Sequence, residues 1–287
     1  MPLVSLEDVS FRYPNGFQAV DSVSFAVAAG ESVAIIGQNG AGKTTTVKMI
    51  NGLLRPTSGT VLIDGTDTAR QTAAQTSRRV GYVFQNPDDQ IFNPTVAKEV
   101  GYGLRRLRIP AAEREQRVAE ACEVVGLGAA MAANPYDLPL SIRKFVAIAS
   151  VLAADPDVVI LDEPTAGQDL AGLLRLAALI DGLQQQGKAV ITISHDMEFV
   201  AQNFDRVIVM ADRAVVRDAG ADEIFYDARA MERANLRPPA LASVGALVGP
   251  EVGLDIDRLN AELATRALPD SASTSTPTSA PTSTPTR

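Results

Sequence analysis

The most informative segment of this chain reads Gly37-Gln38-Asn39-Gly40-Ala41-Gly42-Lys43-Thr44. It fits the phosphate-binding pattern G-x-x-x-x-G-K-[ST], and it lies between an apolar strand predicted at 32–36 and a helix predicted at 45–50. Glycines let backbone N–H groups converge on phosphates, and the helix N-terminus adds positive potential there. The alternative, an accidental glycine turn, does not explain the strand and helix on either side. The sequence therefore predicts a nucleotide-binding loop.

This loop predicts specific contacts with ATP and Mg²⁺. The Lys43 ammonium is expected to reach the β and γ phosphates, and the Thr44 hydroxyl to coordinate Mg²⁺. The candidate nucleotide-binding residues of the loop and the helix start are Gly37, Asn39, Gly40, Ala41, Gly42, Lys43, Thr44 and Thr45.

A second candidate element follows the apolar segment 158–161, which places Asp162 and Glu163 at the end of a predicted strand. Ligands of open α/β sheets bind at the carboxyl ends of the strands. We expect Asp162 to hold Mg²⁺ or its waters, and Glu163 to act as the catalytic base that polarises the attacking water. An Asp-Glu pair by itself is often only a helix-start signal, and the phosphate loop makes the catalytic interpretation the stronger one.

His195 is the single histidine of the chain, and it follows the apolar segment 189–193. It should therefore lie at the same edge of the sheet. A lone histidine is usually a tolerated surface or core residue. At this edge a contact with the γ-phosphate is favoured, because a neutral imidazole donates one hydrogen bond and accepts another.

Alternating strand and helix patterns through most of the chain predict an α/β fold with a parallel sheet covered by helices. From Leu3 to about Val27 the pattern is that of antiparallel strands, so we expect a mixed sheet, with a tight turn at Asp64-Gly65. Helical periodicity replaces strand signals between about 86 and 154. That stretch is predicted to be an inserted helical subdomain.

Length and composition limit the class of protein. With 287 residues, one large domain and a smaller appendage are expected. A net charge of −8 argues against nucleic acid as a partner, and the basic cluster Arg105, Arg106 and Arg108 is better explained as a solvated helix face. Neither an apolar run of about 18 residues nor a signal-peptide layout is evident, so we expect a cytoplasmic protein. Cys122 is predicted to be a core residue.

The C-terminal part differs in composition from the rest. Helix-forming residues such as those at 229–236 predict a small helical appendage at 227–269. From 270 to 287 the chain is almost entirely Ser, Thr, Pro and Ala, a composition that cannot bury enough surface to offset the entropy of ordering. This tail is predicted to be disordered.

Taken in order, these elements resemble the nucleotide-binding subunit of ABC transporters over roughly residues 3–225. The resemblance implies a RecA-like P-loop NTPase core at 1–226. It also implies that Gln85, at the end of Val80-Gly81-Tyr82-Val83-Phe84-Gln85, is a catalytic and metal-binding residue linking the Mg²⁺ site to a membrane partner. Asp169 of Ala166-Gly167-Gln168-Asp169 resembles a D-loop residue at the nucleotide. Tyr13 resembles the aromatic residue that stacks on adenine, with a buried tyrosine at a sheet edge as the alternative.

Three further stretches resemble the energy-coupling-factor branch, whose members drive uptake of vitamins or of cobalt and nickel ions. They lie at 85–92, 195–200 and 236–239. This resemblance implies three partners: a second ABC ATPase, an integral membrane scaffold and a substrate-binding membrane subunit. It also implies a peripheral position on the cytoplasmic face of the cell membrane.

One segment departs from the family pattern. The signature Leu-Ser-Gly-Gly-Gln should precede Val146, where the chain has Leu138-Pro139-Leu140-Ser141-Ile142. Proline supplies neither a hydroxyl nor an N–H, and Leu140 brings a Cβ where the backbone should approach a phosphate. The alternative is that Ser141 simply caps the following helix. In the family, subunits pair head to tail and each signature completes the opposite ATP site, so we expect a heterodimer whose partner has an intact signature.

Two other functions stay open. A soluble ABC ATPase of translation or DNA repair would be expected to carry two cassettes or a long coiled-coil insertion. A regulatory subunit that binds ATP with little turnover is allowed by the altered signature, but Glu163 and His195 argue against it.

Overall fold

The computed structural model describes residues 2–249, 253–254 and 256–266. The chain forms two compact units, Met1–Pro239 and Ala240–Arg287. The predicted boundary after residue 226 falls inside the first unit. The predicted disordered tail at 270–287 lies outside the described residues.

The first unit contains ten strands and ten α-helices within its described residues. The strands are β1 (Val4–Arg12), β2 (Gln18–Val27), β3 (Ser32–Ile36), β4 (Ser58–Ile63), β5 (Thr66–Asp67), β6 (Val80–Val83), β7 (Val158–Asp162), β8 (Ala189–Ile193), β9 (Arg206–Ala211) and β10 (Ala214–Gly220). The helices are α1 (Lys43–Ile50), α2 (Ala73–Thr76), α3 (Val96–Val100), α4 (Tyr102–Arg106), α5 (Ala111–Val124), α6 (Leu140–Leu152), α7 (Leu170–Gln185), α8 (Met197–Asn203), α9 (Ala221–Tyr226) and α10 (Ala228–Arg233).

The larger sheet has six strands in the order β10-β9-β3-β8-β7-β6. Strands β9, β3, β8, β7 and β6 run parallel, and β10 is antiparallel to β9. Every residue of β3, β7 and β8 is buried. These strands are short and rich in Val and Ile, as expected for parallel strands covered on both faces. The α/β fold class predicted from the sequence is confirmed.

The N-terminal strands form a separate four-stranded antiparallel sheet in the order β2-β1-β4-β5. The expected mixing of antiparallel and parallel strands occurs instead at the β9–β10 edge of the larger sheet. Asp64 and Gly65 connect β4 to β5 with φ angles of 47° and 71°, the left-handed pair of a two-residue hairpin turn. The predicted tight turn is confirmed.

Between β6 and β7 the chain contains helices, 3-10 turns and loops. Helices α3, α5 and α6 pack on one another through residues such as Val100, Val118 and Phe145, all of which are buried. Cys122 of α5 is fully buried too, as expected. The basic cluster at 105, 106 and 108 is exposed at the end of α4.

The second unit contains two described helices, α11 (Ala240–Val248) and α12 (Ile256–Arg266), which contact each other. Ala242 of α11 and Leu259 of α12 are buried, whereas Leu247 is largely exposed. Within the described residues, no helix is long and apolar enough to cross a membrane.

Candidate active site

A cleft of about 170 Å³ lies at the carboxyl edge of the larger sheet, where β3, β7 and β8 end. It brings together the phosphate-loop pattern, the acidic pair and the histidine. Its lining residues are Asn39, Gly40, Ala41, Gly42, Lys43, Thr44, Thr45, Gln85, Asp162, Glu163, Ile193 and His195. A larger groove elsewhere, lined by residues such as Arg117, Glu120 and Lys188, contains none of the predicted site residues.

At two positions, the loop between β3 and α1 has a backbone conformation that only glycine accommodates. Gly37 has φ 150°, and a Cβ there would lie 2.1 Å from the carbonyl oxygen of Met210. Gly42 has φ 99°, and a Cβ there would lie 2.5 Å from the carbonyl oxygen of Ala19. Within the described residues no side chain caps the start of α1, and the first helical residues, Lys43, Thr44 and Thr45, line the cleft. This is the geometry of an anion-binding helix start.

Lys43 is buried in the centre of this loop. Its Nζ donates hydrogen bonds to the carbonyl oxygens of Gly37, at 2.6 Å, and Gln38, at 3.1 Å. Burial lowers the pKa of Lys43, and the negative charges of Glu163 and Asp162 oppose that shift. The ammonium is therefore held between loop carbonyls and the acidic pair.

Asp162 is the last residue of β7 and is buried. Tyr82 of β6, the neighbouring strand, donates a hydrogen bond of 2.6 Å from its hydroxyl to Oδ2 of Asp162. Burial, with the hydrogen bond to Asp162, raises the pKa of Tyr82 far above its usual value, so the hydroxyl keeps its proton. The other oxygen of Asp162, Oδ1, is buried without a hydrogen-bond partner among the described residues.

Glu163 follows Asp162 and is also buried, with 7% of its surface exposed. Its φ is 50°, in the left-handed region, and its N–H donates to the carbonyl oxygen of Ile193 at 2.9 Å. Burial raises the pKa of the Glu163 carboxyl to about 7, while the His195 N–H and the Lys43 and Lys144 charges act in the other direction. A carboxyl with a pKa near neutrality is suited to accept a proton.

His195 lies two residues beyond β8 and is joined to Glu163. Its backbone N–H donates to Oε2 of Glu163 at 3.1 Å, and its Nε2 lies 3.2 Å from Oε1. The same Nε2 is 3.5 Å from Nζ of Lys43. Burial and the Lys43 charge lower the pKa of His195. The imidazole is therefore neutral at pH 7 and partly open to the cleft.

The remaining predicted residues occupy different positions. Gln85 and Thr44 line the cleft. Tyr13 lies just after β1, half-buried, with its hydroxyl 3.3 Å from Oγ1 of Thr45 and its ring edge-on to Phe11. Asp169 does not line the cleft, because its Oδ1 accepts from Gly172 N–H and caps α7. Its predicted nucleotide contact stays a prediction.

The altered signature begins α6. The helix starts at Leu140 with Pro139 as its N-cap residue and without a side-chain cap, so the interpretation of Ser141 as the cap is wrong. Ser141 lies inside the first turn, because the fixed φ of Pro139 suits the residue that leads into a helix. Leu140 is 48% exposed, and its side chain lies beside Gly167.

Two residues of this site were not predicted from the sequence. Tyr82 contacts Asp162 as described, and Lys144 of α6 donates from Nζ to the carbonyl oxygen of Glu163 at 2.7 Å. A tyrosine in a buried strand usually needs a partner for its hydroxyl, which was an available signal. The second available signal was Lys144 itself, a charged residue on the same helix face as the apolar Ala147 and Ile148.

The residues present fit both phosphate and Mg²⁺. Uncapped N–H groups at the start of α1 and the Lys43 ammonium suit phosphate oxygens. The unpartnered Oδ1 of Asp162 and the Thr44 hydroxyl supply oxygen ligands of the type Mg²⁺ prefers. Fold and site together define a P-loop nucleotide-binding protein.

Comparison with known proteins gives the family. The ABC transporter family model matches residues 20–166. The energy-coupling factor transporter ATP-binding protein EcfA of Methanocaldococcus jannaschii is 39% identical over 259 residues, which cover 90% of this chain and 93% of that protein. The EcfA of Methanothermobacter thermautotrophicus is 39% identical over 84% of this chain and 78% of its own length. The chain belongs to the ABC transporter family, as an ATP-binding-cassette ATPase.

Two solved structures have the same fold. CbiO1 from Clostridium perfringens, described as part of the ABC transporter complex CbiONQ, superposes with a TM-score of 0.74 at 31% identity, over 85% of this chain and 99% of that one. An ATP-binding cassette solved as a dimer in a post-hydrolysis state with ADP and Pi gives a TM-score of 0.70 at 28% identity, over 76% and 98% of the two chains.

Proposed function

We propose that this chain binds Mg-ATP in the cleft at the carboxyl edge of the larger sheet and hydrolyses it to power an importer of the energy-coupling-factor type. The observation that carries the proposal is the convergence of Lys43, Asp162, Glu163 and His195 in one cleft beside the phosphate loop. These groups supply the positive charge, the metal ligand and the base that phosphoryl transfer to water requires.

In the proposed reaction, water attacks the γ-phosphorus and the bond to the ADP oxygen breaks. Glu163 accepts the water proton, which its pKa of about 7 allows. Lys43 and the N–H groups of the loop balance the phosphate charge. Thr44, Gln85 and Asp162 would hold Mg²⁺, which neutralises developing charge on the phosphate oxygens when bound. His195, neutral and adjacent to Glu163, is the proposed γ-phosphate contact.

At the other end of the nucleotide, we propose that Tyr13 stacks on adenine. The hydroxyl of Tyr13 lies within reach of Thr45, at the start of α1, so the ring flanks the helix that binds the phosphates. The Tyr13 ring packs edge-on against the ring of Phe11, and the Tyr13 side chain is half-buried.

We further propose that the chain acts in a heterodimer at the cytoplasmic face of the membrane. Pro139 and Leu140 stand where a signature would offer a hydroxyl, N–H groups and glycine backbone to the ATP of the opposite subunit. The partner subunit then carries an intact signature, and the two ATPases drive an integral membrane scaffold and a substrate-binding membrane subunit. The relatives named energy-coupling factor transporter ATP-binding proteins support this branch. A vitamin or transition-metal ion is the proposed cargo, on the resemblance to that branch alone.

The test is to tag the full-length chain, extract it from membranes in mild detergent and identify co-purifying proteins by mass spectrometry. Recovery of a second ATPase with an intact signature together with a polytopic membrane protein is the expected result. Recovery of the chain alone, or with ribosomes or DNA-bound proteins, would overturn the transporter assignment and favour a soluble ABC ATPase. Tight ATP binding without turnover in the assembled complex would favour a regulatory subunit.

A further inference from the structure

The buried lysine of helix α6 is not explained by ATP or Mg²⁺ binding. Lys144 is 6% exposed, and the buried Ala147 and Ile148 follow it on the same helix face. It does not line the cleft. Its Nζ donates a hydrogen bond of 2.7 Å to the carbonyl oxygen of Glu163. A buried ammonium is costly unless charges and hydrogen bonds compensate it, so this position has a specific partner rather than a solvated side chain.

The partner of Lys144 is held in a conformation that needs external support. Glu163 has φ 50°, a region that residues other than glycine seldom adopt. Its N–H is fixed by the carbonyl oxygen of Ile193, the last residue of β8. Its C=O accepts a hydrogen bond from Nζ of Lys144 at 2.7 Å and a longer one from the N–H of Ala166 at 3.4 Å. Strand β8 and helix α6 therefore hold the two sides of the same residue, whose carboxylate is the proposed base.

Electrostatic interactions also favour the contact between Lys144 and Glu163. Burial lowers the pKa of Lys144, while the negative charges of Glu163 and Asp162 oppose that shift. The acidic pair thus helps to keep the ammonium charged inside the protein. Lys43 compensates the pair from the phosphate loop, and Lys144 does so from α6.

The first turn of α6 has a second link to the segment that follows Glu163. Nε2 of Gln168 donates to the carbonyl oxygen of Ser141 at 3.1 Å. Segment 163–168 is therefore tied to α6 at both of its ends, through Lys144 and through Ser141. Since α6 starts with the altered signature, these two hydrogen bonds connect that signature to the segment that follows Asp162.

We propose that Lys144 is a positioning residue for Glu163, and that it couples the altered signature of this chain to the base of the chain's own ATP site. The inference rests on the proposed role of Glu163 in hydrolysis. It assigns α6 two functions: its first turn faces the site of the partner subunit, and its Lys144 sets the backbone of the site in this chain.

The test compares Lys144→Met, which keeps the side-chain length but removes the donor, with Lys144→Gln, which keeps an uncharged donor. Lys48→Met, on α1 and outside the cleft, is the control for loss of a lysine. Amide hydrogen exchange is measured on the nucleotide-free full-length chain, and binding is measured with a fluorescent ATP analogue. ATP turnover is measured on the complex that co-purifies with the tagged chain.

For Lys144→Met we expect exchange of peptide 162–169 to rise about fivefold or more, with exchange of β1 unchanged. The affinity for the ATP analogue should stay within about twofold, whereas kcat should fall about tenfold at unchanged KM, because a displaced base affects only the chemical step. Lys144→Gln should recover part of both effects, and Lys48→Met should match the unmodified chain.

Unchanged exchange at 162–169 in both Lys144 variants would overturn the proposal, and so would faster exchange with unchanged kcat. A parallel loss of turnover, nucleotide affinity and melting temperature in both variants would also overturn it, because it would show a general structural role. If the unmodified complex does not hydrolyse ATP, the proposed function fails, while the exchange measurement still decides whether Lys144 holds Glu163.

Discussion

The backbone N–H of His195 donates a hydrogen bond of 3.1 Å to Oε2 of Glu163, and the imidazole Nε2 of the same histidine lies 3.2 Å from Oε1. The two residues follow neighbouring parallel strands, in which Asp162 pairs with Ile193. The register of β7 and β8 thus sets the orientation of the carboxylate. The sheet, rather than a flexible loop, positions the proposed base.

Replacing Glu163 with Gln removes the proton acceptor and keeps the side-chain shape. We expect ATP turnover of the co-purified complex to fall by about 100-fold or more, because general-base catalysis contributes about 10²–10⁴-fold. Binding of a fluorescent ATP analogue should persist. Glu232→Gln, at an exposed site of α10, is the matched control and should leave turnover unchanged. Turnover of Glu163→Gln close to that of the unmodified complex would contradict the assignment.

The raised pKa of Glu163 predicts how stability depends on pH. The pKa is about 7 in the folded chain against an ordinary value of 4.5, so the folded state binds the proton more tightly. The stability contributed by protonation is complete below about pH 4.5 and is lost as pH rises through 7. We expect Glu163→Gln to raise the melting temperature of the nucleotide-free chain more at pH 8 than at pH 5. An equal difference in melting temperature between the variant and the unmodified chain at both pH values would show that burial does not destabilise the ionised carboxyl.

The Tyr82 hydroxyl is predicted to orient Asp162 for Mg²⁺. Tyr82→Phe removes one hydrogen bond to a buried carboxylate, which is worth roughly 1.5–3 kcal/mol. We expect a lower melting temperature and a several-fold higher Mg²⁺ concentration for half-maximal turnover. Tyr102→Phe is the control, since Tyr102 is exposed and contacts Phe92 through its ring. A Mg²⁺ dependence identical to that of the unmodified chain would argue against this role.

Lys43→Met tests the phosphate loop. The ammonium is the buried cation nearest the loop carbonyls, so its loss should weaken binding of the ATP analogue by about tenfold or more. Lys48→Met, five residues further along α1, should bind as the unmodified chain does. Isothermal titration calorimetry measures the affinity of both variants for the ATP analogue. Equal affinities of Lys43→Met and Lys48→Met would rule out a phosphate contact by Lys43.

Some elements of the fold could be predicted from the sequence, and others could not. The strand at 32–36, the Asp64-Gly65 turn and the helical stretch between β6 and β7 follow from local periodicity and turn chemistry, and the structure contains each of them. The separation of the N-terminal strands into their own sheet depends on long-range pairing of β1 with β4, which no local pattern encodes. Residues 33 and 191 are adjacent across the larger sheet for the same reason.

The site shows the same limit. Motif spacing placed the phosphate loop, the acidic pair and His195 at one edge, because parallel strands bring their carboxyl ends together. It did not reveal Lys144, whose contact with Glu163 spans 19 residues and requires α6 to pack against the end of β7. The alternative interpretation of the signature made Ser141 the N-cap of α6, whereas the N-cap is Pro139, two residues earlier. Helix ends and tertiary contacts depend on packing that sequence spacing does not determine.

The altered signature predicts that the purified chain alone is a poor ATPase, and the most direct test is its steady-state turnover at saturating Mg-ATP. A turnover rate near background is expected for the chain alone. Turnover should rise when the signature is repaired by Pro139→Ser, Leu140→Gly, Ser141→Gly and Ile142→Gln together, since both sites of a homodimer would then be complete. Brisk, saturable hydrolysis by the unmodified chain alone, abolished by Glu163→Gln, would contradict its dependence on a partner.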